Sequence, residues 1–258
     1  MYLKNLIKIA TVRGKQIFVD PRSRQEVANL ITRDIPSGEC RFSSPIPNPK
    51  IIDAGAHIGV MTTYFKTQYP DSTIVAFEPN PSSFAKLVDN IEGNGFRGVT
   101  PINAALAHYD GTAALFGASD DETRGNSISQ TWGMRNEHST QMQTRTTKLS
   151  HYLREPCEFL KLDVEGEEFN VLNECSRYLY NVREIELEVH ITADTRFSVY
   201  NIEHILLSAG FQITMKKTRD ISKTLPEKWD SWTSKAAPTL TVIRAFNPSY
   251  DSRQARKA

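Results

Sequence analysis

Polar side chains capable of acid–base chemistry accompany two apolar segments in the second half of the chain. Glu186, Glu188 and His190 alternate along one segment, so in a strand they would project to the same face. Asp163 ends the other segment, and in a parallel sheet it would neighbour Glu188 and His190. We predict that Asp163, Glu188 and His190 are catalytic. Glu186 is interpreted as part of an ion pair or of a solvated rim.

Two mechanisms fit this set of residues. His190 or Asp163 can act as a general base that removes a proton from a hydroxyl. The same set can instead bind a divalent cation that lowers the pKa of that hydroxyl. We favour the mechanism without metal, because two carboxylates and one imidazole in an inferred geometry are a weak metal-binding pattern. Lys161 and Glu165 are expected to flank Asp163 on the same strand face, with Lys161 paired to a carboxylate.

A glycine-bearing turn follows a short apolar segment in the first half of the chain. Asp53 ends the segment KIID, and Ala54-Gly55-Ala56-His57-Ile58-Gly59 comes directly after it. Gly55 permits a tight turn from strand to helix, and Gly59 lets the helix pack close to the sheet. Backbone N–H groups at the helix start then face a ligand, and Asp53 can orient the loop or contact that ligand. The alternative is a tight connection that binds nothing.

Two further strand ends carry residues suited to a nucleoside. Glu78 and Pro79 end the next predicted strand, where a carboxylate can accept hydrogen bonds from both hydroxyls of a ribose. The alternative role of Glu78 is a favourable interaction with the dipole of the following helix. Asn103 and Ala104 end the third strand, where small residues leave room for an adenine ring or simply terminate the strand.

The glycine spacing distinguishes between two classes of nucleoside cofactor that this loop could bind. A dinucleotide site has the pattern G-x-G-x-x-G, whereas Gly55 and Gly59 are spaced as G-x-x-x-G after an aspartate. S-adenosyl-L-methionine has no pyrophosphate to be cradled, so the looser loop suits it. We therefore predict S-adenosyl-L-methionine, and not a nicotinamide dinucleotide, as the cofactor.

Strand-like and helix-like segments alternate from residue 50 onward, which predicts a parallel sheet with helices on both faces. The predicted strands cover residues 50–53, 73–77, 99–103, 158–163, 184–190, 211–215 and 239–245. We expect a doubly wound, mostly parallel, seven-stranded, Rossmann-like α/β sheet whose last two strands form an antiparallel pair at one edge. Residues 104–116 predict an added hairpin with its turn at Tyr109-Asp110-Gly111.

The remaining segments are assigned by composition. Residues 1–49 are predicted as an N-terminal extension that packs on a domain over residues 50–246, and residues 247–258 as a polar tail. Residues 117–140 are polar and lack periodicity, so we interpret them as a loop that covers the acceptor. The candidate side chains of that loop and of a second polar connection are Trp132, Arg135, His138, Trp229 and Trp232.

Composition limits the partners and the compartment. The chain of 258 residues has 31 basic and 30 acidic residues, which gives no electrostatic reason to expect nucleic acid. Cys40, Cys157 and Cys175 are far apart, as reduced thiols of a cytoplasmic protein would be. No apolar run is long enough to span a bilayer. We expect a cytoplasmic protein that acts on a small molecule or a carbohydrate, and the sequence favours no particular oligomeric state.

Six segments between about residues 50 and 190 form a recognisable series. They are IIDAGAHIGVMTTYF, IVAFEPNPSSFAKLVDNIEGN, INAALAHYDGTAALF, TTKLSHYL, FLKLDVEGEEFNVL and IELEVH, of which LKLDVEGEE and EPNP are the most specific. In this order the segments resemble the FkbM-type methyltransferase family. The resemblance implies a cytoplasmic enzyme that transfers the methyl group of S-adenosylmethionine to a hydroxyl of a sugar, a polyketide or another small natural product.

The resemblance also implies roles for particular residues. The cofactor would be surrounded by Asp53, Gly55, Gly59, Glu78, Asn103 and Ala104, and the predicted site includes their neighbours Ala56, His57 and Pro79. Asp163 would lie near the methionine end of the cofactor and the acceptor. Two alternatives stay open. One is an RNA ribose 2'-O-methyltransferase, which uses a lysine–acid set similar to Lys161, Asp163 and Glu188, and the other is a non-catalytic S-adenosylmethionine-binding module.

Overall fold

The N-terminal part of the chain forms an antiparallel pair of its own. The computed structural model describes residues 7–12, 15–19, 41–118, 126–129, 139–191, 198–220 and 239–251. Strand β1 (Ile7–Val12) pairs with β2 (Lys15–Val19). Closer to the main sheet, the ring of Phe42 stacks on that of Phe159 with 4.5 Å between centroids. This aromatic contact attaches the segment that precedes the main sheet to the core.

Ten further strands form two sheets. In chain order they are β3 (Lys50–Ala54), β4 (Thr73–Phe77), β5 (Val99–Ile102), β6 (Ala105–Leu106), β7 (Gly111–Ala118), β8 (Ser139–Thr147), β9 (Cys157–Leu162), β10 (Val182–Ile191), β11 (Gln212–Asp220) and β12 (Thr239–Phe246). Seven of them make the main sheet in the order β11-β12-β10-β9-β3-β4-β5. The pairs from β5 to β10 are parallel, whereas β12 is antiparallel to both β10 and β11. The predicted sheet is confirmed, and its reversed strand lies one position inside the edge.

Both faces of this sheet are covered by helices, because its central strands are apolar on both sides. The helices are α1 (Val60–Gln68), α2 (Pro81–Gly93), α3 (Glu168–Glu174) and α4 (Ser198–Ser208). Ile51 of β3 packs with Phe65 of α1 in one cluster, while the next residue, Ile52, packs with Leu172 of α3 in another. Since successive side chains of a strand point to opposite faces, the two clusters lie on opposite sides of the sheet.

The added hairpin was expected within residues 104–116, and this prediction is wrong in its pairing. Strands β6 and β7 do not pair with each other; β8 lies between them, parallel to β6 and antiparallel to β7. The carboxylate of Asp110 accepts hydrogen bonds from Thr147 Oγ1 at 3.3 Å and from the Lys148 N–H at 3.2 Å. The turn therefore attaches to the end of β8, and the antiparallel pair is formed by β7 and β8.

The start of the predicted polar tail is part of the folded domain. Asn247 and Tyr250 are buried, and the backbone N–H of Asn247 donates to the carbonyl oxygen of Arg183 at 2.8 Å. Residues 252–258 lie outside the described residues. Within the described part of the chain, no helix has the length and apolar character needed to cross a membrane.

The order in which strands join the main sheet changes direction at β3. Strands β4 and β5 lie on one side of β3, whereas the later strands β9 and β10 lie on the other. Ligands of open α/β sheets bind beyond the carboxyl ends of the strands at such a point. Asp53 is the second-last residue of β3, Glu78 follows β4, and Asp163 follows β9. The fold therefore brings residues from distant parts of the chain to one edge.

Candidate active site

The loop after β3 turns sharply against the neighbouring strand ends. The N–H groups of Gly55 and Ala56 both donate to the carbonyl oxygen of Phe77, at 3.1 and 2.8 Å. Gly55 has a φ of +81°, and a Cβ there would lie 1.7 Å from the carbonyl oxygen of Asp163. Both the backbone conformation and the available space therefore require glycine, as the sequence analysis predicted for a tight turn.

Gly59 also requires the absence of a side chain, but its close neighbour differs from the predicted one. Its φ is +85°, and a Cβ there would lie 2.5 Å from Cδ1 of Leu87. Leu87 belongs to α2, so the close approach at Gly59 is made to a helix and not to the sheet. The reason is that Gly59 precedes α1, which lies beside α2 at this edge.

Asp53 is completely buried and contacts the helix that follows the loop after β3. Its Oδ2 accepts a 2.6 Å hydrogen bond from the Thr62 hydroxyl of α1, and its Oδ1 lies 3.9 Å from Nζ of Lys161. Burial raises the pKa of this carboxyl, and Lys161 opposes the shift. Of the two roles considered for Asp53, these contacts favour the orientation of the loop and of α1.

Glu78 is a buried carboxylate that contacts residues 55–59, the loop predicted to bind the cofactor and here called the cofactor loop. One oxygen accepts a hydrogen bond from the N–H of His57 at 2.9 Å, and the other accepts from the N–H of Asn80 at 2.8 Å. His57 has a φ of +51°, an unusual conformation for a residue with a side chain, and this turns its N–H toward Glu78. Burial raises the pKa of Glu78 to about 7. Each carboxylate oxygen keeps a second lone pair that can accept a ligand hydroxyl.

Asn103 fastens the chain that carries Glu78. Its side-chain amide donates to the carbonyl oxygens of Glu78 at 2.8 Å and of Pro79 at 3.2 Å. Ala104 is buried beside it. Asn103 therefore holds the strand end at which Glu78 lies, which goes beyond the strand-terminating role considered for it.

Lys161 links the cofactor loop to Asp163. Its ammonium group lies 3.1 Å from Oδ2 of Asp163 and donates to the carbonyl oxygen of Gly55 at 3.3 Å. With Asp53 at 3.9 Å, Lys161 contacts two carboxylates and one carbonyl while being only 5% exposed. The expected pairing of Lys161 with a carboxylate is confirmed.

His190 lies between two carboxylates at the end of β10. Its Nδ1 is 3.1 Å from Oε1 of Glu168, and its Nε2 is 3.3 Å from Oε2 of Glu165. Burial lowers the pKa of His190, but the carboxylates of Glu165, Glu168 and Asp163 outweigh that effect and raise the pKa to about 10. The imidazole therefore carries a positive charge at neutral pH in this arrangement.

The predicted proximity of Asp163, Glu188 and His190 is observed, with Glu165 added to the group. Potential ligand atoms of Asp163, Glu165 and His190 all lie within 4.8 Å of one another, close enough to share a cation. Burial raises the pKa of Glu188 to about 7, and the negative charge of Asp163 adds to this effect. Glu186 instead pairs with Arg244 of β12 at 2.8 Å, so its interpretation as part of an ion pair is confirmed.

Two acidic residues that follow β9, one in the loop and one at the start of α3, were not predicted correctly. Glu165 was expected on the strand face of Asp163, but β9 ends at Leu162 and Glu165 adopts a φ of +54° in the loop. Glu168 is absent from the predicted site, although it lies in the segment LKLDVEGEE, whose density of acidic residues is the signal that points to it. Periodicity cannot locate either residue, because neither is in a strand.

Part of the predicted covering loop contacts the site. Residues 126–129 are described, and the hydroxyl of Ser127 donates to the carbonyl oxygen of Glu165 at 2.5 Å. Ser127 also pairs with Phe116 of β7 through two backbone hydrogen bonds. The proposed covering side chains Trp132, Arg135, His138, Trp229 and Trp232 lie outside the described residues.

The fold and the site define a methyltransferase of the Rossmann-like type, with β12 reversed between β10 and β11. The family model described as the methyltransferase FkbM domain matches residues 53–213 of the chain. This protein therefore belongs to the FkbM methyltransferase family, which confirms the resemblance seen in the sequence. The matched range includes the cofactor loop, Glu78, Asp163 and His190.

Several known proteins are similar to this chain. "Methyltransferase 1" of Beauveria bassiana is 28% identical over 231 residues, covering 81% of this chain and 91% of that protein. "Methyltransferase sdnD" of Sordaria araneosa is 28% identical over 241 residues, covering 81% of this chain and 90% of that protein. The crystal structure of methyltransferase FkbM from Methylobacillus flagellatus KT aligns with a TM-score of 0.49 at 16% identity, covering 84% of this chain and 47% of that chain.

Proposed function

We propose that this methyltransferase uses S-adenosyl-L-methionine to methylate a hydroxyl of a small molecule or a sugar. The observation that carries the proposal is the contact between the cofactor loop and the acidic residue after β9. A Cβ at Gly55 would lie 1.7 Å from the carbonyl oxygen of Asp163. The loop suited to the cofactor and the carboxylate suited to the acceptor are thus neighbours, as a direct transfer between two bound molecules requires.

The residues present fit S-adenosylmethionine in shape and in charge. Without a side chain at Gly55, the loop lies directly against the end of β9, and Glu78 keeps lone pairs for ribose hydroxyls. Around the strand ends the carboxylates of Glu78, Asp163, Glu165 and Glu188 outnumber the two cations, Lys161 and His190. An excess of carboxylates favours a cationic ligand, and the sulfonium of this cofactor is a cation.

The cofactor supplies a methyl group that is already activated for in-line displacement, so the protein must orient the acceptor oxygen and remove its proton. The raised pKa of His190, about 10, leaves its ring without a free lone pair at neutral pH. We therefore assign proton removal to the carboxylate of Asp163, which would take the hydroxyl proton as the oxygen–methyl bond forms and the methyl–sulfur bond of the cofactor breaks to leave a neutral thioether. Glu188, with a pKa of about 7, is suited to hold that proton afterwards.

We favour transfer without a divalent metal. Nδ1 of His190 already faces Glu168, and its Nε2 already faces Glu165. A cation bound by Asp163, Glu165 and His190 would have to replace a proton of the imidazolium. Both ring nitrogens of His190 thus face carboxylates of the protein, which supports acid–base catalysis by the protein alone.

The RNA alternative is weakened by the position of Lys161. A lysine–acid set for a ribose hydroxyl needs an ammonium group directed at the acceptor, whereas Lys161 is buried and contacts Gly55 and Asp163. The carboxylates of Asp163, Glu165 and Glu188 at the same edge would repel nearby phosphates. These features support an acceptor that has no negative charge close to its hydroxyl.

We also infer a cytoplasmic location. Cys157 and Cys175 are free thiols buried in the core, as reduced cysteines of a protein in a reducing compartment would be. Burial raises the pKa of the Cys157 thiol to about 12, so it stays protonated and unreactive.

The cofactor is tested first by calorimetric titration of S-adenosylmethionine into the wild-type protein, Glu78→Ala and Glu92→Ala. Glu92 is an exposed acid of α2 and serves as a matched control. We expect binding to the wild type and to Glu92→Ala, and a loss of at least about tenfold in affinity for Glu78→Ala. Absence of binding to the wild type would overturn the cofactor assignment.

The reaction is tested next with the methyl-labelled cofactor and a panel of sugars, polyols and polyketide alcohols, with RNA as a separate member. Transfer to a hydroxyl compound supports the proposal, and transfer to RNA alone supports the rival enzyme. A protein that binds the cofactor and transfers to no member of the panel supports the non-catalytic module.

A further inference from the structure

The carboxylate of Glu168 joins the two chain segments that carry the acid–base residues. Its Oε1 accepts hydrogen bonds from the N–H groups of Val164 at 3.2 Å and Gly166 at 3.0 Å, and it lies 3.1 Å from Nδ1 of His190. Its Oε2 accepts from Gly166 at 3.2 Å and from the N–H of His190 at 3.5 Å. Glu168 is only 1% exposed. One buried carboxylate thus connects the loop after β9 with the end of β10.

The contact at Nδ1 determines what the other side of the imidazole can do. A ring held at Nδ1 by Glu168 directs Nε2 toward Glu165, at 3.3 Å, and toward the group that includes Asp163. A carboxylate that accepts from one ring nitrogen fixes the orientation of a histidine and makes its other nitrogen available to a ligand or a reacting group. Glu168 is therefore placed to fix the direction in which His190 acts.

The loop contacts have a second consequence. Glu165 has a φ of +54°, a conformation that costs about 1–3 kcal/mol for a residue with a side chain. The neighbouring N–H groups of Val164 and Gly166 are bound by Glu168, so the strained residue is held from both sides. Asp163 begins this loop, and its own position depends on the same conformation.

We infer that Glu168 is a positioning residue for methyl transfer, which sets the ring orientation of His190 and the conformation of the loop that carries Asp163. The inference rests on the proposed function, because it assigns a purpose to this arrangement only if the edge of the sheet is the reaction site. Glu168 does not itself contact the acceptor, since it is buried beneath His190.

A purely structural role is the competing explanation, because Glu168 is the first residue of α3 and acidic residues stabilise helix starts. The same helix offers a matched comparison. Its last residue, Glu174, accepts hydrogen bonds from the hydroxyl and the N–H of Ser150, at 2.5 and 3.2 Å. Glu174 has the same chemistry and two hydrogen bonds of its own, but its partner Ser150 lies in the short helical turn Leu149–His151 that precedes β9.

The test is long-range ¹H–¹⁵N NMR of the full chain labelled with ¹⁵N-histidine, for the wild type, Glu168→Gln and Glu174→Gln. The signals of His190 are assigned by their loss in His190→Asn. We expect Glu168→Gln to change the Nδ1 signal and to lower the pKa of His190 by about 1 or more, because one adjacent carboxylate is removed. Glu174→Gln should leave both properties as in the wild type.

Calorimetry with S-adenosylmethionine on the same variants separates this inference from the proposed function. We expect Glu168→Gln to bind the cofactor within about threefold of the wild type, because Glu168 contacts none of the predicted cofactor residues. Unchanged His190 signals in Glu168→Gln would overturn the inference, even where the cofactor binds normally. A wild type that does not bind the cofactor overturns the proposed function, whatever the histidine signals show.

Glu168→Asp provides the measurement if the glutamine variant does not fold. Aspartate keeps the charge but is shorter by one methylene, so we expect a pKa of His190 close to that of the wild type and an altered Nδ1 signal. A wild-type Nδ1 signal in this variant would mean that the ring is held by other groups and would overturn the inference.

Discussion

The backbone of Asp163 lies directly against Gly55: the carbonyl oxygen of Asp163 occupies the place where a Cβ of Gly55 would be, 1.7 Å away. The N–H of Asp163 also donates to the carbonyl oxygen of Ala54 at 3.1 Å. The predicted cofactor loop and the proposed base are therefore parts of one contact, although Gly55 and Asp163 are 108 positions apart in the sequence. A substitution at either residue is therefore expected to displace the other.

Gly55→Ala is expected to lower both stability and cofactor affinity. The alanine would adopt an unfavourable φ and displace Asp163, so we expect the free energy of unfolding to fall by at least about 2 kcal/mol. Urea unfolding followed by circular dichroism measures this loss. Gly95→Ala is the matched control, because Gly95 also has a positive φ, +64°, but no described atom lies within 4 Å of the Cβ position. Equal losses in the two variants would contradict the close contact with Asp163.

Stability should depend on the protonation of Glu78. Its folded-state pKa of about 7 lies above the ordinary glutamate value of 4.5, so the folded protein binds the proton more tightly than the unfolded chain. The stability linked to this group is complete below about pH 4.5 and is lost as the pH rises through about 7, by about 3 kcal/mol in total. Glu78→Gln cannot ionise, so its stability relative to the wild type should increase over this pH range. A difference that stays constant with pH, measured by urea unfolding at several pH values, would disprove this expectation.

Lys161→Met should be strongly destabilising. The substitution leaves Asp53 and Asp163 without their shared cation, and removal of one partner from a buried ion pair costs about 3–5 kcal/mol. Lys216→Met is the control, because the pair of Lys216 with Glu203 is at the surface and contributes about 1 kcal/mol at most. Thermal unfolding compares the two variants, and a loss in Lys161→Met no larger than in the control would show that Asp53 and Asp163 do not need this cation.

Methyl transfer should not require a divalent cation. Both ring nitrogens of His190 face carboxylates of the protein, so acid–base catalysis has its groups in place without metal. We expect dialysis against a chelator, and later addition of Mg²⁺ or Mn²⁺, to change the rate by less than about twofold. Loss of activity that added metal restores would instead identify Asp163, Glu165 and His190 as metal ligands.

The main sheet and the cofactor loop could be predicted from the sequence because the residue patterns that indicate them involve only neighbouring residues. A strand buried on both faces needs adjacent apolar residues, as at Ile51-Ile52 of β3 and Phe159-Leu160 of β9, and positive φ values favour glycine, as at Gly55 and Gly59. The prediction of a hairpin within residues 104–116 was wrong because the pairing of strands depends on residues that are far apart in the sequence. The N–H of Lys148, which is 38 positions further along the chain, donates a hydrogen bond to Asp110 in the turn, and β7 pairs with β8 beside this contact.

The candidate site was predictable only in part, for a similar reason. Asp163 directly follows β9 and His190 is the second-last residue of β10, so alternation and strand order were enough to predict that they lie close together. Glu165 and Glu168 lie in a loop and at the start of a short helix, where side-chain direction depends on backbone angles such as the φ of +54° at Glu165. No periodic pattern predicts such angles.

By itself, the sequence determined the order of strands and helices, the family, and the types of residue available at the strand ends, because apolar spacing and glycine positions are constrained within a few neighbouring residues. Only the tertiary structure decided which of those residues meet. In the tertiary structure Gly55 lies against Asp163, and Lys161 lies close to two carboxylates. His190 lies between Glu165 and Glu168. These contacts join distant segments of the chain, and their geometry follows from how the whole sheet and its helices pack.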